Sequence, residues 1–458
     1  MIKNIVKVLL SNSILTLVGL LNSLLFPVLL SVSEYAYYQE YILYTSYVNI
    51  CHLGIASGMF LTYAGKKYKE IDKAQYKSEV YLICIVLCAF TVVGLGIGVF
   101  CRTPMFFYVV LSIIPQCIIA SFQALYQAWE RFTGYAIVNV LPKVLLCLLA
   151  IFALVLSRNI SGDRLIIIYV CIIWCVCIYF LIEFFLFTRK EKAAKIFSEK
   201  NKRVTIEGFL IMFGNYVNLL FHSIDKQFVS SLYSEASFAF YSFAMSMQNL
   251  MLIFITALAN PFYPRLAKGD VSKEFIGRLK ELLLMFGAFS GCAYFAVAFV
   301  VKCFIEKYVD SLQVVAMFFA VFPAMAVINV LYINMYKIKR KLKKYILTLA
   351  GMLGVSVIFN IIAVLLNSDY IGISLATMLS YYVWLFYSQK DFEEICITKK
   401  DYVFLFGFFA IYILSMQIET DLLGIFLYAV IMFGWCLTIY KETIIKGMRY
   451  LIQKRRRG

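Results

Sequence analysis

Runs of about twenty apolar residues recur from end to end of this chain, each long enough to cross a hydrocarbon core as a helix. That repetition leaves little room for another kind of fold. Hydrophobic residues make up 63% of the 458 and charged residues only 15%, too little polar surface for a soluble protein of this length. The expected fold class is all-α, a polytopic membrane protein. Fourteen spans are read at 8–30, 38–62, 80–101, 105–127, 137–157, 165–187, 205–230, 236–260, 281–304, 311–335, 345–366, 370–389, 402–418 and 421–440. The last pair leaves little loop around Glu419 and Asp421, so a re-entrant hairpin is the alternative there.

Charge placement orients the spans. The formal charge is +17. Cytoplasmic loops of membrane proteins collect Lys and Arg, and alternate loops here do so. Lys3 and Lys7 precede the first span, TRKEKAAKIFSEKNKR (188–203) follows the sixth and KIKRKLKK (337–344) follows the tenth. Lys454, Arg455, Arg456 and Arg457 close the tail. Of the 43 Lys and Arg, 36 fall on that side, and Arg102, Arg158, Arg164, Lys302 and Lys307 on the other. Lys143 and Lys226 lie inside spans. Both termini are therefore expected in the cytoplasm. The charge reads as an orientation signal with anionic phospholipids as partners, and not as the footprint of a nucleic-acid binder. The 13 cysteines lie mostly in apolar runs without paired CxxC spacing, and two histidines are too few to complete a zinc site. No metal or other cofactor is expected. The chain has no GxxxxGK[ST] loop, hence no ATPase motor of its own.

An internal repeat underlies the map. Ser33-Glu34 after the first span is echoed by Ser234-Glu235 after the seventh, and each opens an aromatic helix, YAYYQEY and ASFAFYSF. Leu125-Tyr126 and Leu331-Tyr332 recur near the ends of the fourth and tenth spans. The expected organisation is two six-helix bundles in pseudo-twofold repeat, at 1–187 and 205–389. A basic linker at 188–204 joins them, and an additional helix pair with a basic tail occupies 390–458. Repeats of this parallel kind place a transport path between the halves.

Polar side chains recur at helical spacing inside the spans. The seventh carries Asn215, Asn218, His222 and Asp225; the eighth carries Ser242, Ser246, Asn249, Thr256 and Asn260. The fourth offers Ser112, Gln116, Gln123 and Gln127, the first Asn12, Thr16, Asn22 and Ser23, and the second Ser46, Asn49 and His52. Such faces serve as packing glue or line a polar cavity; their presence in both halves favours a cavity. Pro27, Pro115, Pro142, Pro261, Pro264 and Pro323 sit in or beside spans, where they kink helices. Lys143 either snorkels to head groups or forms a cationic wall. Asp225 and Lys226 either make a structural interhelical salt bridge or serve transport, Lys226 by binding an anion and Asp225 with His222 by carrying H⁺ or Na⁺. The substrate-path candidates are Lys226, Asp225, His222, Asn218, Asn249, Asn22, Asn49, Gln116, Gln123 and Lys143.

The run SIDKQFVSSLYSEASFAFYSFA (223–244) resembles the seventh-span signature of the Wzx-like O-antigen and oligosaccharide flippases. These belong to the multidrug/oligosaccharidyl-lipid/polysaccharide exporter superfamily. Asp225-Lys226, Ser234-Glu235 and Tyr241 to Ala244 carry the likeness, although the usual glycine of the turn is absent. Gly54 and Gly58 late in the second span and PFYPRLAKGD (261–270) fit the same pattern. The resemblance implies a non-enzymatic flippase in the bacterial plasma (inner) membrane. It would move undecaprenyl-pyrophosphate-linked oligosaccharide units to the outer leaflet, for O-antigen or capsule synthesis. Polysaccharide polymerase and glycosyltransferases are the implied partners. A lipid II flippase and a cation-coupled multidrug antiporter of the same superfamily are the alternatives.

Overall fold

The computed structural model describes the backbone of residues 2–66, 68, 71–155, 161–267, 272–418 and 420–457. Among the residues singled out above, the side chains of Lys3, Lys7, Asn12, Thr16, Arg158, Thr256, Asn260, Glu419, the tail from 447 and most of PFYPRLAKGD lie outside the described set. The described chain is helical, without strands. It divides into two compact units, residues 1–223 and 224–458.

The first unit runs through α1 (Ile2–Leu29), α2 (Val32–Tyr47), α3 (Ile55–Tyr63), α4 (Lys73–Cys101), α5 (Pro104–Leu111), α6 (Ile113–Ala128), α7 (Phe132–Val155) and α8 (Gly162–Thr188), then most of α9 (Glu199–Leu232). The second continues from the end of α9 through α10 (Glu235–Ala267), α11 (Lys273–Ala288), α12 (Ser290–Phe304), α13 (Leu312–Ala320), α14 (Phe322–Val327) and α15 (Ile333–Ile338). It closes with α16 (Leu342–Leu365), α17 (Tyr370–Ser388), α18 (Lys399–Ser415) and α19 (Asp421–Arg457). Every expected span coincides with one of these helices or with a broken pair.

Among the described residues, nine helices are long and apolar enough to cross a membrane, and a pair bent by 42°, at 306–320 and 322–338, makes a tenth. The chain is thus a multi-pass membrane protein. The expected fourteen exceed this for local reasons. In α1 and α7 the described apolar stretches are Leu17–Leu29 and Asn139–Phe152. The second span breaks between α2 and α3, and α18 has only 17 residues.

Polar residues start the helices where the sequence leaves the apolar runs. The Asp72 side chain accepts the N–H groups of Ala74 and Gln75 at 3.1 Å, and Ser272 and Asp369 cap α11 and α17 in the same manner. Ser31 caps α2 through the Glu34 N–H, and Ser234 caps α10 through the Ser237 N–H, each at 3.2 Å. By capping role, Ser31 is the residue that corresponds to Ser234. Ser33, the expected match of Ser234, lies two residues inside α2.

The break in the second span has a clear cause. Leu53 and Gly54 both adopt left-handed backbone, φ 49° and 82°, which stops the helix. Gly54 and Gly58 then let the start of α9 approach closely. A Cβ on Gly58 would overlap the Val204 backbone, and one on Gly208 would overlap the backbone of Gly54 and Gly58. Small residues at a crossing are how membrane helices pack without a hydrophobic driving force. The fourth and tenth spans also break, at Ser112 and Val321, each a few residues before a proline, Pro115 and Pro323.

Candidate functional site

The charged pair of the seventh span is buried. Asp225 lies seven residues before the end of α9, roughly 10 Å in at 1.5 Å per residue. It is 3% exposed, and Lys226 is 8% exposed. Successive residues on a helix diverge by about 100°, so the two side chains leave in different directions. Asp225 Oδ1 accepts the backbone N–H of Lys226 at 2.8 Å. Its Oδ2 accepts the hydroxyl of Tyr241 on α10 at 2.8 Å and that of Thr377 on α17 at 3.0 Å. Lys226 Nζ sits 5.3 Å from the centre of the Phe238 ring, one turn before Tyr241. An ammonium over an aromatic face gains about 0.5–2 kcal/mol, more as water is excluded.

A carboxylate buried without partners is too costly to persist in a membrane. Neutral hydroxyls from two other helices satisfy this one, which ties α9, α10 and α17 together. Carboxylate and hydroxyl oxygens form a hard, all-oxygen set suited to a proton or a small cation. The neighbouring ammonium suits a phosphate. Among the described residues, no cluster of three His, Cys, Asp or Glu is placed to hold a metal ion.

The other candidates differ in exposure within their own units. On α9, Asn215 is exposed, and Asn218 and His222 are half-buried, with the His222 ring edge-on to Phe221 at 5.4 Å. Asn249 on α10 is exposed. In the first unit Gln116 and Gln123 are half-buried on α6, and Gln123 donates to Asn139 at 3.3 Å. Asn49 is exposed in the short turn after α2, whereas His52 is buried there and its Nδ1 accepts the Gly54 N–H at 3.0 Å. His52 thus holds the helix break. Lys143 is exposed on α7.

Among solved structures, the chain is similar to the lipid II flippase MurJ in its inward closed conformation. The TM-score is 0.66 at 12% sequence identity, over 96% of this chain and 100% of that one. The two share a fold. No family model matches the chain, and no curated protein does.

Counted from the capping serines, Asn22 stands where Asp225 stands, nine residues before the cap, and Tyr38 stands where Tyr241 stands, seven after it. Asn22 is half-buried, its Oδ1 has no partner among the described residues, and Tyr38 is buried.

Sequence reading missed three groups. Tyr241 and Thr377 complete the site; Tyr241 stood out only as part of the family likeness and not as a partner of Asp225, and Thr377 is of a type common in the packing of such helices. Glu183 on α8 pairs with Arg131 at 2.9 Å and accepts the Tyr126 hydroxyl, with the guanidinium 4.4 Å from the Tyr68 ring. Lys280 on α11 and Asp401 on α18 form a buried ion pair, 3% and 0% exposed. Asp401 also accepts the Tyr440 hydroxyl at 2.7 Å and the Thr398 hydroxyl at 2.9 Å, while Lys280 also donates to the Cys396 carbonyl at 2.6 Å. The Thr398-to-Asp401 spacing is a capping-box pattern that was legible in the sequence.

Proposed function

We propose that the chain flips a polyprenyl-diphosphate-linked sugar from the cytoplasmic to the outer leaflet of a bacterial plasma membrane, by alternating access and without covalent chemistry. The observation that carries this reading is the full-length likeness to a lipid II flippase. The buried Asp225–Lys226 pair adds the chemistry the cargo needs. Lys226 meets phosphate, and the oxygen-lined Asp225 takes up the driving H⁺ or Na⁺. The spans number fourteen, with both termini in the cytoplasm and the basic loops on anionic lipid.

The likeness favours lipid II as cargo. An O-antigen or capsule oligosaccharide unit is the second reading, carried by the resemblance at residues 223–244. In that case glycosyltransferases and a polymerase act on either side of the flipping step. Proteoliposomes loaded in parallel with fluorescent lipid II, a polyprenyl-diphosphate oligosaccharide and a cationic dye separate these readings. Transport of lipid II alone selects the first and transport of the oligosaccharide the second. Export of the dye alone contradicts both and returns the multidrug alternative.

A further inference from the structure

The first unit carries a membrane-facing groove that the reading above does not use. Ile137, Leu141 and Leu145 recur every fourth residue along α7, and Cys171, Cys175 and Tyr179 recur every fourth residue along α8. The two stripes lie side by side, and the groove between them has a volume of about 660 Å³, within the roughly 300–1,000 Å³ of ligand sites. Its lining is almost wholly apolar. Small thiols where neighbouring positions hold isoleucine, tyrosine and phenylalanine leave the space open.

We propose that this groove seats the polyprenyl chain of the lipid-linked cargo, an assignment that rests on the flippase reading. Three observations select that occupant. First, α8 is one of the helices long and apolar enough to cross a membrane and α7 contributes the apolar stretch Asn139–Phe152, so the medium at the groove is hydrocarbon. Second, the groove follows α8 from Ile167 to Phe180, roughly 20 Å at 1.5 Å per residue. The midpoint of α8, near Cys175, lies inside this stretch. One leaflet supplies only about 15 Å of hydrocarbon. A phospholipid chain therefore ends partway along the groove, and a long isoprenoid fills it. Third, an arginine stands about one turn beyond each end. Arg164 is exposed four residues before Ile168, and Arg131 is held by Glu183, four residues after Tyr179. A phosphate at either face of the membrane meets a guanidinium while the chain stays seated.

The test uses the full-length protein in nanodiscs with two probes: a polyprenyl phosphate and a phosphatidylglycerol, each carrying a diazirine at its chain end. Mass spectrometry maps the cross-links. The polyprenyl probe should label α7 and α8 peptides preferentially. Cys175→Phe, or Leu141→Phe on the opposite wall, should cut that labelling roughly tenfold by displacing a methylene or two of the chain, and Ile358→Phe, exposed on α16 outside the groove, should leave it unchanged. Equal labelling by phosphatidylglycerol overturns the assignment, as does even labelling of all lipid-facing helices or indifference to both phenylalanines. Groove labelling without cargo movement in vesicles keeps the groove as an isoprenoid site and rejects the flippase reading. Cargo movement without groove labelling rejects the groove alone.

Discussion

Asp225 and Lys226 are neighbours in sequence that act on different surroundings. Asp225 gathers hydroxyls from α10 and α17, and Lys226 lies over Phe238. Removing the Tyr241 hydroxyl by Tyr241→Phe takes a donor from a buried carboxylate and should cost about 1.5–3 kcal/mol, read as a lower melting temperature in detergent. Asp225→Asn keeps the shape and an acceptor oxygen. It should melt close to the parent yet lose the response of transport to H⁺ and Na⁺ gradients, measured in vesicles with each gradient imposed in turn. Lys226→Met keeps the aliphatic stem, so transport should fall while the protein still folds; failure to fold would make the pair structural. At this scale the sequence was half legible. A charge in an apolar run is conspicuous, which exposed Asp225 and Lys226. Their partners were hidden, because Thr377 is 152 residues away and its type is unremarkable.

The helices themselves were legible where an apolar run begins directly at a capping residue, as at Asp369 before the span read from 370; α4 and α11, capped by Asp72 and Ser272, begin at Lys73 and Lys273, well ahead of the spans read from 80 and 281, because their first turns are polar. What stayed hidden was where a run breaks, since Leu53, Ser112 and Val321 look like ordinary membrane residues and tertiary packing sets their conformations. Glycine crossings belong here too. Gly208→Val puts a branched side chain against the α3 backbone. It should destabilise by at least about 1–3 kcal/mol as an overpacked contact, whereas Gly351→Val, in open space on α16, should change the melting temperature little. The α11–α18 tie makes a second element-level prediction. Lys280→Met leaves the Asp401 carboxylate buried without its cation and should cost roughly 3–5 kcal/mol. The double variant Lys280→Met with Asp401→Leu should recover much of that loss. Additive losses in this cycle, followed by thermal melting, would show that the ion pair is not what holds α18 to α11.

For the whole molecule, the length and spacing of the apolar runs set an all-α membrane chain, and the full-length likeness to MurJ agrees at the level of the fold. Orientation rests on charge alone. Single cysteines placed in the basic loops at 188–203 and 337–344 of a cysteine-free background should therefore react with an impermeant maleimide only after the cells are opened. The central claim is that this chain moves a lipid-linked sugar across the bilayer. Its most direct test is a quenching assay on sealed vesicles holding the purified protein and head-group-labelled polyprenyl-diphosphate sugar, with an impermeant reductant added outside. Without protein about half the label should be quenched, because the reductant reaches only the outer leaflet. With the protein, quenching should run toward completion, and Lys226→Met should return it to half. Quenching that stops at half with the parent protein, under every ion gradient imposed, would contradict the account.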